Sequence, residues 1–264
     1  MAGGPCPRTT VSRGPAFALK EKGKLFLDLF GGTGGVSKAL AKLGFRSVIW
    51  DTQQGPEFDL SVPGVEAKLK RLIRSGRVQG ICFATPCTSF SLARNRTNNI
   101  RSRDHPWGNP RPRKPISAHD AESLAIGNKL MKLTIRLVHL CLRCNVPWVF
   151  ENPAFCRTFD LPEWKSLIAR DEVEELVFDQ CSCGTRWKKP TRLVFGCVDH
   201  ADLALFEGCR CFGRKLCDYT GKPHMQLTGS HPSGCPMTRL AQEYPRKMCT
   251  KLAKILASRC LSQR

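Results

Sequence analysis

The segment Lys24–Gly35, KLFLDLFGGTGG, joins a short apolar run to a turn that contains four glycines. The apolar run predicts a buried strand, because it is short and is closed by turn residues. Val36–Leu43 shows helical spacing and ends at Gly44, a common helix stop. A second strand is predicted over Arg46–Trp50. This order of strand, glycine turn, helix and strand predicts an α/β fold whose turn lets the backbone approach a nucleotide-like ligand.

Two acidic residues follow the second strand. Asp51 stands at its end, where acids often accept hydrogen bonds from ribose hydroxyls. Capping of the next turn is an equally good interpretation of Asp51. Asp59 either reaches the base of the same ligand or fixes a turn.

A second apolar run, Val78–Phe83, stops at Thr85-Pro86-Cys87 and predicts another buried strand. Open α/β sheets bind their ligands just beyond the carboxyl ends of strands, which is where Cys87 follows. Cys87 is therefore a candidate nucleophile. The alternative, a partly buried structural thiol, is the more common finding for a single cysteine.

A third predicted strand, Val146–Phe150, ends at Glu151-Asn152-Pro153. Glu151 is expected in the same crevice as Cys87, because both follow strand ends. Desolvation there would raise the pKa of Glu151 and let it donate a proton near neutral pH. The alternative is a carboxylate that caps the following turn.

The chain has 42 Lys and Arg residues against 22 Asp and Glu residues, a net charge of +20. Such an excess points to a polyanionic partner, most often nucleic acid. Seven basic residues between Arg94 and Lys114, Arg101 and Arg103 among them, favour phosphate contact over a merely solvated charge run. The chain has no membrane-length apolar stretch and no signal-peptide core, so we expect an intracellular protein, nuclear if its source is eukaryotic.

Fifteen cysteines are expected to be mostly reduced in such a compartment. Cys209, Cys211, Cys217 and His224 lie in a segment rich in Cys, His, Gly and Pro. They form a candidate zinc site, although their spacing is not the usual C-x2-C. Scattered buried thiols are the alternative.

Taken in order, DLFGGTGG, Asp51, TPCTSFS, ENP and RLVFG resemble the DNA cytosine-5 methyltransferase family, which uses S-adenosylmethionine. The resemblance spans most of Lys24–Ser258, apart from the cysteine-rich segment. The Pro-Cys and Glu-Asn pairs at strand ends are its most specific marks. It implies a Rossmann-like S-adenosylmethionine-dependent methyltransferase fold with a small Cys/His-rich insert. The variant motifs are similar to a divergent branch found in mobile elements, phages or protists.

Composition and pattern predict a flexible basic arm over 1–21, a catalytic methyltransferase domain over 22–196, a small Cys/His-rich insert over 197–237 that is a candidate target-recognition segment, and a C-terminal helix over 238–264 that completes the catalytic domain. The resemblance also implies residue roles. Cys87 would be the nucleophile, Glu151 would grip the cytosine edge, and Arg192, with Lys189, would occupy a late arginine motif. Asp51 would hold the ribose and Asp59 the adenine amine. The other cofactor-binding positions would be Asp28, Phe30, Gly31, Gly32, Gly34 and Pro86.

Three functions stay open at this point. The first is methylation of carbon 5 of cytosine in double-stranded DNA through a covalent cysteine adduct. The second is the same reaction on a folded RNA such as transfer RNA. The third is a binding module without catalysis, which the altered late motif RWKKPTR favours and intact Cys87 and Glu151 disfavour.

Overall fold

A computed structural model of the chain describes residues 23–92, 98–213, 215–230, 234 and 236–263. The predicted arm over 1–21 and the basic residues Arg94 and Arg96 lie outside the described residues. The strands are β1 (Leu25–Leu29), β2 (Ser47–Trp50), β3 (Val78–Phe83), β4 (Trp148–Pro153), β5 (Val173–Asp179) and β6 (Pro190–Gly196). The helices are α1 (Gly35–Lys42), α2 (Val65–Arg74), α3 (Ala118–Arg143), α4 (Pro162–Ile168), α5 (Met237–Leu240) and α6 (Arg246–Leu261).

The six strands form one sheet in the order β2-β1-β3-β4-β6-β5. β1 pairs in parallel with β2 on one side and with β3 on the other, and β3 pairs in parallel with β4. The direction of strand order therefore reverses between β1 and β3, and open α/β sheets bind ligands outside the carboxyl ends at such a reversal. β6 is antiparallel and lies between β4 and β5.

Helices cover both faces of the sheet, because parallel strands carry apolar side chains on both sides. Leu27, Ile81 and Phe150 lie on the face that α2, α3 and α4 cover. Phe26 and Val149 lie on the opposite face, against α1 and α6. The result is a layered α/β/α arrangement that leaves the strand ends accessible.

The predicted α/β class is confirmed, and β3 has the predicted bounds. α3 starts after a Ser117 cap, because the Ser117 hydroxyl accepts a 3.1 Å hydrogen bond from the Asp120 N–H. β4 was predicted to stop at Phe150 but continues to Pro153, because β6 pairs with it over that length. Within the described part of the chain, no helix combines the length and apolar character that a bilayer crossing requires.

The segment that follows β6 packs on the main sheet layer. Its 3-10 turn, His200–Phe206, places Leu203 and Phe206 in the same apolar cluster as α6. The domain bounds deduced from the sequence stay predictions.

Candidate active site

The glycine turn joins β1 to α1 in a backbone conformation that few residues tolerate. Phe30, Gly32 and Gly34 have φ angles of 60°, 52° and 72°, in the left-handed region that favours glycine. A Cβ on Gly34 would lie 2.3 Å from Cδ1 of Ile49, whereas a Cβ on Gly32 would meet no atom closer than 3.7 Å. The N–H and carbonyl of Gly32 bond to Asp51 and Gln54, so the room for a ligand is the space beside its Cα.

Asp28 lies beneath this turn and is only 2% exposed. Its Oδ2 accepts hydrogen bonds from the N–H and the hydroxyl of Ser37, at 3.1 and 3.0 Å. A Cβ on Gly31 would lie 2.6 Å from Cγ of Asp28, so the turn needs glycine there. Burial raises the pKa of Asp28 to about 6. Asp28 therefore supports the turn from below by holding the start of α1.

Asp51 and Asp59 both act as caps. Asp51 accepts from the Gln53 N–H at 2.8 Å and from the Gly32 N–H at 2.9 Å. Asp59 accepts from the Ser61 N–H at 2.7 Å. The capping interpretation is thus observed for both acids. Asp51 additionally ties the end of β2 to the glycine turn, which places its half-buried carboxylate beside the open space at Gly32.

Cys87 follows β3 in a loop that is fastened to β4 and α3. The carbonyl of Thr85 accepts a 3.0 Å hydrogen bond from Nδ2 of Asn152, and its hydroxyl lies 2.7 Å from that of Thr134. Cys87 is a half-buried free thiol, and Pro86 beside it is exposed. The loop therefore presents the thiol at the ligand-binding edge of the sheet in a fixed position.

Glu151 is buried at the end of β4, with 6% of its surface exposed. Its Oε2 accepts a 2.7 Å hydrogen bond from the Tyr244 hydroxyl. Its Oε1 has no hydrogen-bond partner among the described residues. Burial raises the pKa of Glu151, because an unpaired charge is costly in an apolar environment. One carboxyl oxygen is thus held in place and the other is available to a ligand.

The thiol and the carboxyl share one electrostatic environment. Burial and, second to it, the charge of Glu151 raise the pKa of Cys87 to about 11. Lys189 acts in the opposite direction on both groups. The Lys189 ammonium donates a 2.6 Å hydrogen bond to the carbonyl of Ala241. A thiol with a raised pKa is mostly protonated at neutral pH, so nucleophilic attack by Cys87 would require loss of that proton.

Arg192 lies apart from this pair. It faces Asn152 across the β4–β6 register, and because successive side chains alternate, it lies on the sheet face opposite Glu151. Its guanidinium lies over the ring of Phe159, 4.5 Å from the centroid. Among the described residues, Lys189 is the cation whose charge acts on both Cys87 and Glu151. A catalytic role for Arg192 stays a prediction, and the structure does not bring it to the pair.

Arg101 is structural, which corrects its predicted phosphate contact. It is fully buried and lies over the Phe90 ring at 3.6 Å from the centroid. Its guanidinium donates to the Ser89 carbonyl at 3.1 Å, the Pro106 carbonyl at 2.6 Å and Oδ1 of Asn128 at 2.8 Å. Five donors in one plane allow a single arginine to hold a loop from several sides. The exposed basic residues in the described part of 94–114 are Arg103, Arg111, Arg113 and Lys114.

Three cysteines and one histidine come together beside β5. Cys181, Cys211, Cys217 and His224 each offer a ligand atom, and these atoms lie within 4.8 Å of one another. The predicted set is corrected in one position, because Cys181 stands where Cys209 was expected. Cys209 is instead part of the apolar cluster around α6. Cys181 lies in the 3-10 turn Gln180–Cys183 that follows β5. It is far from the other three residues in sequence, so no local spacing could identify it.

Two site residues were missed by sequence reasoning. Tyr244 had no signal beyond the Tyr-Pro pair before α6, and its contact with Glu151 spans 93 residues. Asn152 was visible beside Glu151, but its partner Thr85 lies 67 residues earlier. Asn152 also accepts a 3.0 Å hydrogen bond from Thr158. Both residues position the site through long-range contacts that only the folded chain creates.

Comparisons with known proteins find likenesses among solved structures. No family model matches the chain, and no curated protein matches it. Among solved structures, the chain is similar to the Entamoeba histolytica methyltransferase EhMeth, with a TM-score of 0.46 and 10% sequence identity. The match covers 91% of this chain and 99% of that chain. The function of this chain therefore has to be argued from its own residues.

Proposed function

We propose that the chain is an S-adenosylmethionine-dependent methyltransferase that methylates carbon 5 of cytosine in double-stranded DNA through a covalent adduct with Cys87. The observation that carries the proposal is the pairing of a half-buried thiol with a buried carboxyl at the ends of β3 and β4. The Oε1 atom of Glu151 has no partner among the described residues. Both groups lie beside the reversal in strand order, where open α/β sheets bind ligands.

The glycine turn fits the cofactor. The space beside the Cα of Gly32 is open, while Gly31 and Gly34 allow a tight turn that any Cβ would disturb. Asp51 is held against Gly32 at the end of β2, the position from which acids bind ribose hydroxyls. When bound, S-adenosylmethionine supplies an electrophilic methyl group on a sulfonium cation.

Cys87 would activate the base by addition. Carbon 5 of cytosine is a poor nucleophile, and a thiolate bonded to carbon 6 makes it enamine-like. The thiol must first lose its proton to solvent, and a cation near the sulfur lowers the free energy of that step. Lys189 already favours the thiolate. Activated carbon 5 then takes the methyl group, its proton leaves to solvent, and the bond between sulfur and carbon 6 breaks to restore the thiolate.

Glu151 would hold and protonate the ring. Its raised pKa favours the protonated carboxyl, which can donate to the ring nitrogen adjacent to the exocyclic amine while the thiolate adds. Tyr244 fixes Oε2, so the carboxyl is oriented before the base arrives. Preorganised polar groups of this kind need no rearrangement at the moment of reaction.

Charge and access support a nucleic-acid substrate. The net charge of +20 and the exposed basic residues after Cys87 suit a phosphate backbone. A cytosine stacked in a duplex is out of reach of a thiol at a sheet edge, so the base would have to flip out.

Trapping with fluorinated DNA tests the proposal. Fluorine on carbon 5 cannot leave as a cation, so methyl transfer should strand the covalent complex. Duplex DNA containing 5-fluorocytosine and the cofactor should give a denaturation-resistant adduct with the parent protein. Cys87→Ser should give none, because a hydroxyl is far less ionised than a thiol near neutral pH.

Cys144→Ser is the matched control, because Cys144 is exposed and follows α3 away from the site. It should trap like the parent. An adduct in Cys87→Ser would reassign the nucleophile. Adducts only on folded RNA would replace the DNA proposal with the RNA one, and none on either substrate despite cofactor binding would favour the binding module.

A further inference from the structure

The four-residue cluster of Cys181, Cys211, Cys217 and His224, here called the Cys3His cluster, has the dimensions of a metal site. Sγ of Cys211 lies 3.6 Å from Nε2 of His224. In a tetrahedral zinc site with bonds of about 2.3 Å to sulfur and about 2.0–2.1 Å to nitrogen, that separation is about 3.6 Å. The matching sulfur–sulfur separation is about 3.8 Å, inside the 4.8 Å limit that contains all four ligand atoms.

The three thiols are buried without joining either main apolar core. Cys181, Cys211 and Cys217 are 0%, 1% and 2% exposed and form a small cluster of their own. Buried structural thiols usually pack as small apolar groups, as Cys82 and Cys249 do here in the core beneath α6. Thiols that face one another and a histidine instead are typical of metal ligands.

The backbone around the ligands is held by two carboxylates. Oδ2 of Asp179 accepts a 2.8 Å hydrogen bond from the Cys211 N–H. Asp218 accepts from the N–H groups of Phe212 and Gly213, at 2.6 and 3.0 Å. A Cβ on Gly213 would lie 1.9 Å from the Leu216 carbonyl oxygen, so this turn requires glycine. Such outer contacts orient the ligands of metal sites.

We propose that the Cys3His cluster binds one Zn²⁺ as a structural site. Three thiolates and one imidazole in tetrahedral reach select zinc over magnesium or calcium, which prefer oxygen ligands. Four protein ligands also leave no position for a water or a substrate, which separates structural from catalytic zinc. Binding would release the thiol protons and add its free energy to folding.

The zinc would fasten the Cys/His-rich segment to the loop between β5 and β6. Cys181 belongs to that loop, whereas the other three ligands belong to the segment after β6. Beside His224, the N–H of Met225 donates a 2.8 Å hydrogen bond to the Arg186 carbonyl of the same loop. The loop leads to Lys189, the cation near Cys87. The zinc proposal does not depend on the proposed methylation, because its tests measure bound metal and not methyl transfer.

The first measurement uses the unaltered full-length chain, purified without chelators. Elemental analysis should find one zinc per chain. X-ray absorption at the zinc edge should show three sulfur ligands at about 2.3 Å and one nitrogen at about 2.0–2.1 Å. A folded, zinc-free preparation that takes up no added Zn²⁺, or a shell of oxygen ligands, would overturn the proposal.

The second measurement compares variants. His224→Asn and Cys181→Ser should lose most of the zinc, or weaken its retention against a competing chelator at least tenfold. Cys209→Ser is the matched control, because Cys209 belongs to the same segment but not to the cluster, and it should keep the metal. Equal zinc in all three variants would overturn the assignment. If a variant does not fold, the X-ray absorption spectrum of the parent protein decides whether the cluster binds zinc. A disulfide between two of these cysteines, detected by peptide mapping, would also refute the zinc site.

Discussion

Removing one hydroxyl group by Tyr244→Phe should change the titration of Glu151. The Tyr244 hydroxyl donates a 2.7 Å hydrogen bond to Oε2 of Glu151. Burial raises the pKa of this carboxyl, whereas the charge of Lys189 and this hydrogen bond lower it. Phenylalanine keeps the ring and the volume of the side chain, so the packing beside α6 should be little disturbed. The variant therefore isolates the hydrogen bond.

The size of the effect follows from the two charge states of Glu151. A hydrogen bond to an ionised group contributes about 1.5–3 kcal/mol, and one between neutral groups about 0.5–1.5 kcal/mol. Loss of the hydrogen bond therefore destabilises the ionised carboxyl more than the protonated one, by about 1–1.5 kcal/mol. Since one pKa unit corresponds to about 1.4 kcal/mol, the pKa of Glu151 should rise by about one unit. Because burial already raises this pKa, the ionised form weakens the fold as pH increases. Tyr244→Phe should enlarge this loss of folding free energy at high pH, because the ionised carboxyl no longer has its hydrogen bond.

The assay is the rate of adduct formation on fluorinated duplex DNA, followed against pH under single-turnover conditions. If protonated Glu151 is the active form, the rate falls as this carboxyl ionises. The pH of that fall should move upward by about one unit in Tyr244→Phe. Chemical unfolding at two pH values should show a larger stability loss at the higher pH.

Tyr219→Phe is the matched control, because the chain has two tyrosines. The Tyr219 hydroxyl donates to carbonyls of Gly208 and Arg210 in the Cys/His-rich segment. This control should leave the pH profile unchanged. Two results would refute the assignment of Glu151 as the protonated group that Tyr244 orients. One is an unchanged pH dependence of the rate in Tyr244→Phe, and the other is an equal shift of that dependence in Tyr219→Phe.

Two further predictions concern the glycine turn and the basic segment. Gly32→Ala should weaken S-adenosylmethionine binding in calorimetry at least tenfold, because the new methyl group occupies open space beside the turn. Gly64→Ala controls for backbone strain, since Gly64 also has a positive φ and a Cβ there would meet no atom within 4 Å. Equal affinities of Gly32→Ala and the parent would remove Gly32 from the site. Arg101→Met should lower the free energy of unfolding by about 2–4 kcal/mol, since several buried hydrogen bonds are lost. Arg103 has an 80% exposed side chain, so Arg103→Gln should change the free energy of unfolding by no more than about 0.5 kcal/mol. It should reduce the logarithmic salt slope of DNA binding by about 0.9. A stable Arg101→Met protein with a reduced salt slope would contradict the buried role of Arg101.

Regular elements could be predicted because their causes are local. The apolar run of β3 sets both of its ends, and a serine three residues before an acidic residue marks the start of α3. The insertion of β6 between β4 and β5 could not be predicted, because it depends on pairing between distant segments. Extension of β4 through Glu151 follows from that same pairing.

The site was predictable where chemistry and strand ends coincide, as at Cys87 and Glu151. It was not predictable where a side chain serves the fold. Arg101 resembles its basic neighbours in sequence, yet it is buried while Arg103 is exposed. Cys181 joins the Cys3His cluster across a gap of 30 residues. Charge and local spacing do not distinguish these cases, because burial is decided by tertiary contacts.

The place of β6 in the sheet has a consequence for synthesis of the chain. β4 pairs with β3 on one side. Its other edge has no strand to pair with until β6 is synthesised, and β6 begins 37 positions after β4 ends. At about 5–20 residues per second, the ribosome needs roughly 2–7 s to add that stretch. During this interval an apolar strand edge that includes Trp148 and Phe150 has no partner from its own sheet. Unpaired edges of this kind recruit other chains, so nascent chains of this protein should depend on chaperones between the emergence of β4 and that of β6.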